Sequence, residues 1–341
     1  GKFAEVSDAM NVEDYWPWGL STGDLNADGF QDVFITASMN FPFRYGINSL
    51  LLNDRGKIFR DSEFILGVEP RRGGRTHFKM DSLDCDGEEA SNNIFGNSLY
   101  HNLGGGKFAE VSDAMNVEDY WPWGLSTGDL NADGFQDVFI TASMNFPFRY
   151  GINSLLLNDR GKIFRDSEFV LGVEPRRGGR THALLTEVDC DGEDQQSAVC
   201  KDRSGKVKLM SALGSRSSVI FDLDGDGDLD IVTNDFNSEP MVLISNLAQK
   251  RPGLRYLKVR LRGTASNRDG LGARVQVKAG GQTLTQWNDG KSGYLSQSSM
   301  PLYFGLGDAQ KIDAVEVTWP SGKRQTVAGP KVNGEIEIVE K

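Results

Sequence analysis

The chain has 341 residues, enough for two or three domains with cores of their own. Asp and Glu (48) outnumber Lys and Arg (37), and the net charge of −11 argues against nucleic acid as the main partner, because phosphate binding needs a basic face. No apolar run is long enough to span a membrane, and Gly1 leads straight into a strand-like segment, so a processed or truncated chain is expected.

Internal repeats set the frame. Residues 1–77 and 106–182 are the same sequence except for Ile65 against Val170. A finer period lies inside: a Gly-Lys-apolar start recurs at Gly1, Gly56, Gly106, Gly161 and Gly205, in steps of 55, 50, 55 and 44 residues. That is the size of a four-stranded propeller blade. The expected fold is therefore all-β, a β-propeller of about five blade repeats over residues 1–247.

In chain order, Gly1–Val6 reads as an outer strand with no inner strands before it. Trp18–Thr22, Asp32–Ala37, Asn48–Leu52 and Lys57–Arg60 then read as the four strands of one blade. Between the first two lies Asp24-Leu25-Asn26-Ala27-Asp28-Gly29-Phe30-Gln31-Asp32. The same nine residues return from Asp129 to Asp137. Ser217–Asp222, Leu229–Asn234 and Met241–Ser245 make a last blade of three strands, which residues 1–6 of this chain or of another could complete. In that blade Asp222-Leu223-Asp224-Gly225-Asp226-Gly227-Asp228-Leu229-Asp230 fills the same place. A polar linker, Gln249–Gly253, precedes a second domain over residues 254–341. Its strands are expected at Tyr256–Leu261, Ala273–Lys278, Gln282–Trp287, Leu302–Phe304, Ala314–Trp319 and Glu335–Val339, forming a small β-sandwich or barrel.

Acids crowded at alternate positions need a cation, and oxygen donors favour Ca²⁺ first and Mg²⁺ second. Three loops with one Ca²⁺ each would offset more than half of the net negative charge. By analogy with the EF-hand, positions one, three, five and nine give side chains and position seven its carbonyl. The candidate ligands are Asp24, Asn26, Asp28, Phe30 and Asp32; Asp129, Asn131, Asp133, Phe135 and Asp137; and Asp222, Asp224, Asp226, Asp228 and Asp230. Gly29, Gly134 and Gly227 let the backbone turn beside the ion. With Asp224 in place of Asn, the third loop carries one more charge among its side-chain ligands and is expected to bind more tightly. A structural ion that stiffens the blade is favoured over one that bridges to a ligand. The loops at Asp84-Cys85-Asp86 and Asp189-Cys190-Asp191 have too few acids at the right spacing and are expected not to bind.

Cys190 and Cys200 are ten apart in a polar loop and could close a disulfide, which would suit an oxidising compartment; three reduced cysteines are the alternative. Cys85 has no partner in its own copy, where Phe95 matches Cys200. No Asn-x-Ser/Thr acceptor occurs. Tyr15-Trp16-Pro17-Trp18 and its copy Tyr120-Trp121-Pro122-Trp123 could stack on sugars, but blade packing also needs large aromatics. Pro70-Arg71-Arg72-Gly73-Gly74-Arg75 and its copy from Pro175 could grip acidic polysaccharide or be solvated loops. His77, His101 and His182 are too scattered for a zinc cage, and no Walker or dinucleotide motif occurs.

The Asp-x-Asp/Asn-x-Asp-Gly-x-x-Asp loops on a blade-sized period resemble the FG-GAP/VCBS repeats of integrin α-type propellers. Ser266–Ala273, Ser292–Gln297, Phe304–Gly307 and Val315–Gly322 resemble the ASPIC/UnbV domain. Together they look like the cartilage acidic protein family and its bacterial relatives. The resemblance implies a secreted calcium-binding propeller with adhesive or matrix roles and protein or glycan ligands, and no established catalysis. It departs in two ways: the family propeller is usually larger, and a near-perfect tandem copy is not part of its pattern. A self-assembling fibre joined by strand exchange and a polysaccharide-acting enzyme are the alternatives.

Overall fold

The computed structural model describes residues 3–13, 17–23, 32–37, 46–69, 77–79, 91–93, 97–119, 122–143, 150–236, 238–290, 294, 296–297 and 301–341. Two compact units divide it, Gly1–Tyr120 and Trp121–Lys341. The protein is all-β: blade-type sheets of a propeller come first and a small two-sheet domain follows.

In the first unit, β1 (Pro17–Gly23), β2 (Asp32–Ala37), β3 (Ser49–Asn53) and β4 (Phe59–Asp61) form one antiparallel four-stranded sheet in sequence order. Short pairs follow, β5 (His77–Lys79) with β6 (Ser91–Asn93) and β7 (Tyr100–Gly104) with β8 (Lys107–Glu110). Leu50 and Leu51 are buried because β3 is an inner strand, covered on both faces. Of the segment expected as an outer strand at residues 1–6, the described residues 3–6 form no strand, and Phe3 is exposed. Its second copy does form a strand, β8, paired with the β7 strand just before it. A strand needs a partner for its backbone donors, and only the second copy has one among the described residues.

The second unit repeats the blade. β9 (Pro122–Gly128), β10 (Asp137–Ala142), β11 (Ser154–Asn158) and β12 (Phe164–Asp166) form a four-stranded sheet. β13 (His182–Asp189) pairs with β14 (Lys206–Ala212), and Cys190 is joined to Cys200 in the loop between them. β15 (Gly214–Phe221), β16 (Asp230–Phe236) and β17 (Val242–Leu243) make the three-stranded last sheet. Phe139, Leu155 and Ile231 share one buried cluster, so apolar inner-strand residues weld the β9–β12 sheet to the β15–β17 sheet. Hydrogen bonds follow the same seam, from Ser126 Oγ to the Ser218 carbonyl (2.8 Å) and from Asn153 Nδ2 to Ser215 Oγ (3.1 Å).

The described residues of the C-terminal domain hold seven strands: β18 (Tyr256–Arg262), β19 (Arg274–Ala279), β20 (Gln282–Trp287), β21 (Leu302–Gly305), β22 (Ile312–Thr318), β23 (Arg324–Ala328) and β24 (Gly334–Val339). Among the described residues they form two sheets, β21-β18-β24 and β20-β19-β22-β23, and no closed barrel. Alternate residues face inward: Leu257, Val259 and Leu261 from β18, Val275 and Val277 from β19, and Val315 and Val317 from β22 meet Phe304 and Trp319 in one core. β18 and β24 run parallel; the other pairs are antiparallel.

Candidate metal centres

Two of the three Asp loops lie among the described residues. Asp24, Asn26, Asp28 and Phe30 fall outside them, and Asp32 opens β2 without a described side chain. The other loops each join the first and second strands of a sheet. β9 and β10 pair as far as Gly128 opposite Asp137, and β15 and β16 as far as Phe221 opposite Asp230. The chain must reverse between those positions, and the short acids fold onto their own backbone N–H groups.

In the first of these loops Asp129 accepts from the N–H of Asp133 (2.9 Å) and of Gly134 (2.8 Å). Asn131 Oδ1 accepts from the Asp133 N–H (3.0 Å), and Asp133 Oδ1 from the Phe135 N–H (2.9 Å). Asp137 closes the turn: it accepts from Leu130 N–H and, across to β11, from Asn158 N–H, each at 2.8 Å. In the other loop Asp222 accepts from Gly225 N–H (2.6 Å) and Gly227 N–H (2.9 Å). Asp230 accepts from Leu223 N–H and Ser245 N–H, each at 2.8 Å. Gly134 and Gly227 carry φ values of 97° and 99°, open to glycine at little cost.

The donor set fits a hard divalent cation. Asp222, Asp224 and Asp226 bring carboxylate oxygens within 4.8 Å of one another. Asp228 points elsewhere, its Oδ2 accepting from Ala248 N–H (2.7 Å), while its buried Oδ1 has no hydrogen-bond partner among the described residues. Burial pushes the Asp129 carboxyl up to about 7 against the pull of the Gly134 and Asp133 N–H groups, and the Asp133 and Asp137 charges add to the rise. Burial also lifts Asp137 to about 7, opposed by the Asn158 and Leu130 N–H groups. Asp228 is raised by burial and by the charges of Asp226 and Asp230. Carboxyls held out of water and beside one another favour a cation that restores their charge balance.

Known proteins carry the same parts. A profile described as ASPIC and UnbV matches residues 263–341, one described as FG-GAP-like repeat matches 85–140, and one described as FG-GAP repeat matches 16–49. This chain joins FG-GAP repeats to an ASPIC and UnbV domain. Cartilage acidic protein 1 of Xenopus tropicalis is 26% identical over 317 residues, covering 80% of this chain and 46% of that protein. Cartilage acidic protein 1 of Homo sapiens is 26% identical over 324 residues, covering 82% and 46%. The chain thus spans just under half the length of these curated relatives. The matched FG-GAP residues take in the loops at Asp24 and Asp129; the loop at Asp222 shares their pattern outside the matched ranges.

Several other candidates have internal work. Arg176, buried, ion-pairs with Asp235 and donates to Tyr150 Oη (2.6 Å) and Ser215 Oγ (3.0 Å), so it is not available to an acidic glycan. Arg177 is exposed, and Arg180 reaches Glu239 at 3.3 Å. Trp123 donates from Nε1 to the Ser143 carbonyl (2.6 Å), meets the Tyr294 ring edge-on and lies under the Arg216 guanidinium, a packing role. Arg71, Arg72, Arg75, Tyr15, Trp16, Tyr120 and Trp121 lie outside the described residues, as does Cys85. In the disulfide hairpin Asp191 accepts from Gly205 N–H and Asp194 from Asp189 N–H, each at 2.9 Å.

Sequence reasoning missed what the C-terminal domain places against these candidate loops. Gly305 sits so close to the FG-GAP loop that a Cβ there would lie 2.1 Å from Asp129 Oδ2. Gly307 N–H donates to the Ala132 carbonyl at 3.1 Å. Both glycines belong to the Phe304-Gly305-Leu306-Gly307 motif of the ASPIC and UnbV resemblance, which was the available signal.

Proposed function

We propose that the chain is part of a secreted, calcium-stabilised, non-catalytic protein of adhesive or matrix-binding type, with residues 1–247 as the propeller segment and 254–341 as the C-terminal domain. The convergence of Asp222, Asp224 and Asp226 in a strand-flanked loop carries the reading. FG-GAP repeats on a blade-sized period support it, as does the likeness to proteins named for cartilage. The Cys190–Cys200 bridge favours an oxidising compartment. No helix among the described residues is long and apolar enough to cross a membrane. The partners would be protein or glycan ligands of the matrix or cell surface.

The test is thermal unfolding of the full chain in calcium and in EGTA. Calcium at a hundredfold excess over its Kd stabilises a single site by about 2.7 kcal/mol, a shift of several degrees. Equal midpoints in the two buffers would sink the calcium reading. Self-association by strand exchange is the second reading: residues 3–6 belong to no ladder, whereas Lys107–Glu110 of the second copy pairs within the chain.

A further inference from the structure

The two described Asp loops both meet the β21-β18-β24 sheet of the C-terminal domain, at different residues. Against Asp129 stands Gly305 of β21. Against Asp222 stands Lys258 of β18, whose ammonium both hydrogen-bonds and ion-pairs with Asp222 Oδ2. The Lys258 side chain is 17% exposed and that of Asp222 2%, so the pair is largely removed from water. The strand is fixed in place around it. Tyr303 Oη donates to the Gly227 carbonyl at 3.0 Å, Tyr256 stacks on Tyr303, and the Tyr256 ring leaves no room for a Cβ at Gly227.

Loop charge differs in the matching sense. The third position is Asn131 in one loop and Asp224 in the other, and the seventh is Phe135 in one and Asp228 in the other. The loop with the extra carboxylates is the one that receives a lysine. We infer that Lys258 is a tethered counter-ion of the Asp222–Asp230 loop: it offsets part of the added charge, competes with a divalent cation for Asp222, and weakens the tighter binding that loop charge alone would give. The inference rests on the calcium reading above. An ammonium is a compact point charge on a flexible stem, able to leave one oxygen for water when a divalent ion arrives. Asp222 and Lys258 both line a cleft of about 530 Å³, which gives the ion a way in and the displaced ammonium a place to go. β18 thereby senses the ion through a side chain of its own.

The test is calcium titration of the full chain by isothermal calorimetry, wild type first, then Lys258→Met and Lys258→Arg. The inference expects one site in Lys258→Met to tighten about tenfold, the effect of deleting a unit charge beside a divalent ion even in a high-dielectric setting, while the remaining sites stay put. Lys258→Arg keeps the charge and should bind as wild type does. Unchanged or weaker binding at every site of Lys258→Met would overturn the inference while leaving the calcium reading intact. A wild-type titration without heat or saturation overturns both, and is seen before any variant is made. Should Lys258→Met not fold, lysine footprinting of the wild type decides. Labelling of Lys258 should rise on adding calcium while that of exposed Lys206 stays constant, and equal Lys258 labelling in calcium and EGTA counts against displacement.

Discussion

Glu340 illustrates how much a single side chain holds in the C-terminal domain. Buried at the end of β24, it accepts from the N–H groups of Thr264 (2.9 Å), Ala265 (2.9 Å) and Ser266 (2.7 Å), and from the hydroxyls of Ser266 and Ser321. Burial pushes its carboxyl upward, but those N–H and O–H donors outweigh it and hold it down to about 2. An unfolded glutamate titrates near 4.3, so the folded state prefers the ionised form. That preference stabilises fully above about pH 4 and is lost as pH falls toward about 2. Glu340→Gln should therefore lower the melting temperature at neutral pH, and the gap from wild type should close on acidification. A gap constant with pH would mean that shape and not charge is lost. Such a residue was invisible in the sequence, because its partners lie 19 to 76 positions away. The same holds for Arg176 and Lys258, whose counter-charges come from residues 59 and 36 positions away.

Among the elements, those with a repeating pattern were legible and those shaped by neighbours were not. The four strands of each copy fall close to where alternation and turn residues put them, because the local pattern is strong and occurs twice. β23 was missed: Arg324-Gln325-Thr326-Val327-Ala328 is polar along an edge, and only pairing with β22 makes it a strand. Identical sequence also meets different surroundings. Asn48 Nδ2 donates to Tyr100 Oη, while its counterpart Asn153 donates to Ser215 Oγ. The β13–β14 hairpin has a separate source of order in the Cys190–Cys200 bridge, which closes a loop of ten residues and should contribute about 2–3 kcal/mol. Replacing both cysteines by serine should speed amide exchange in this hairpin first and leave the C-terminal domain protected. Uniform loss of protection across both would mean that the bridge supports the whole unit.

At the scale of the molecule, acidity and cation supply act on the same buried groups. Asp129 and Asp137 titrate near 7 in the fold and near 3.9 when unfolded. Between those values the folded state holds more protons, so stability falls as pH rises from about 4 to about 7. In EGTA the melting temperature should decline over that range, and saturating calcium should suppress the decline. A flat profile in EGTA would show that water, not burial, surrounds these carboxyls.

The parallel pairing of β18 with β24 has a consequence for how the C-terminal domain comes into being. Leu257 lies opposite Gly334 and Arg262 opposite Val339, so the first strand of the domain hydrogen-bonds along one side to a strand made 77 residues later. A ribosome delivers the chain from its N-terminus. Until β24 emerges, β18 has β21 on one side and open backbone on the other, and closing so long a loop is slow as well as entropically costly. Assembly of this domain is therefore held to a late step, and a nascent chain stopped short of residue 334 would expose the strand that carries Lys258.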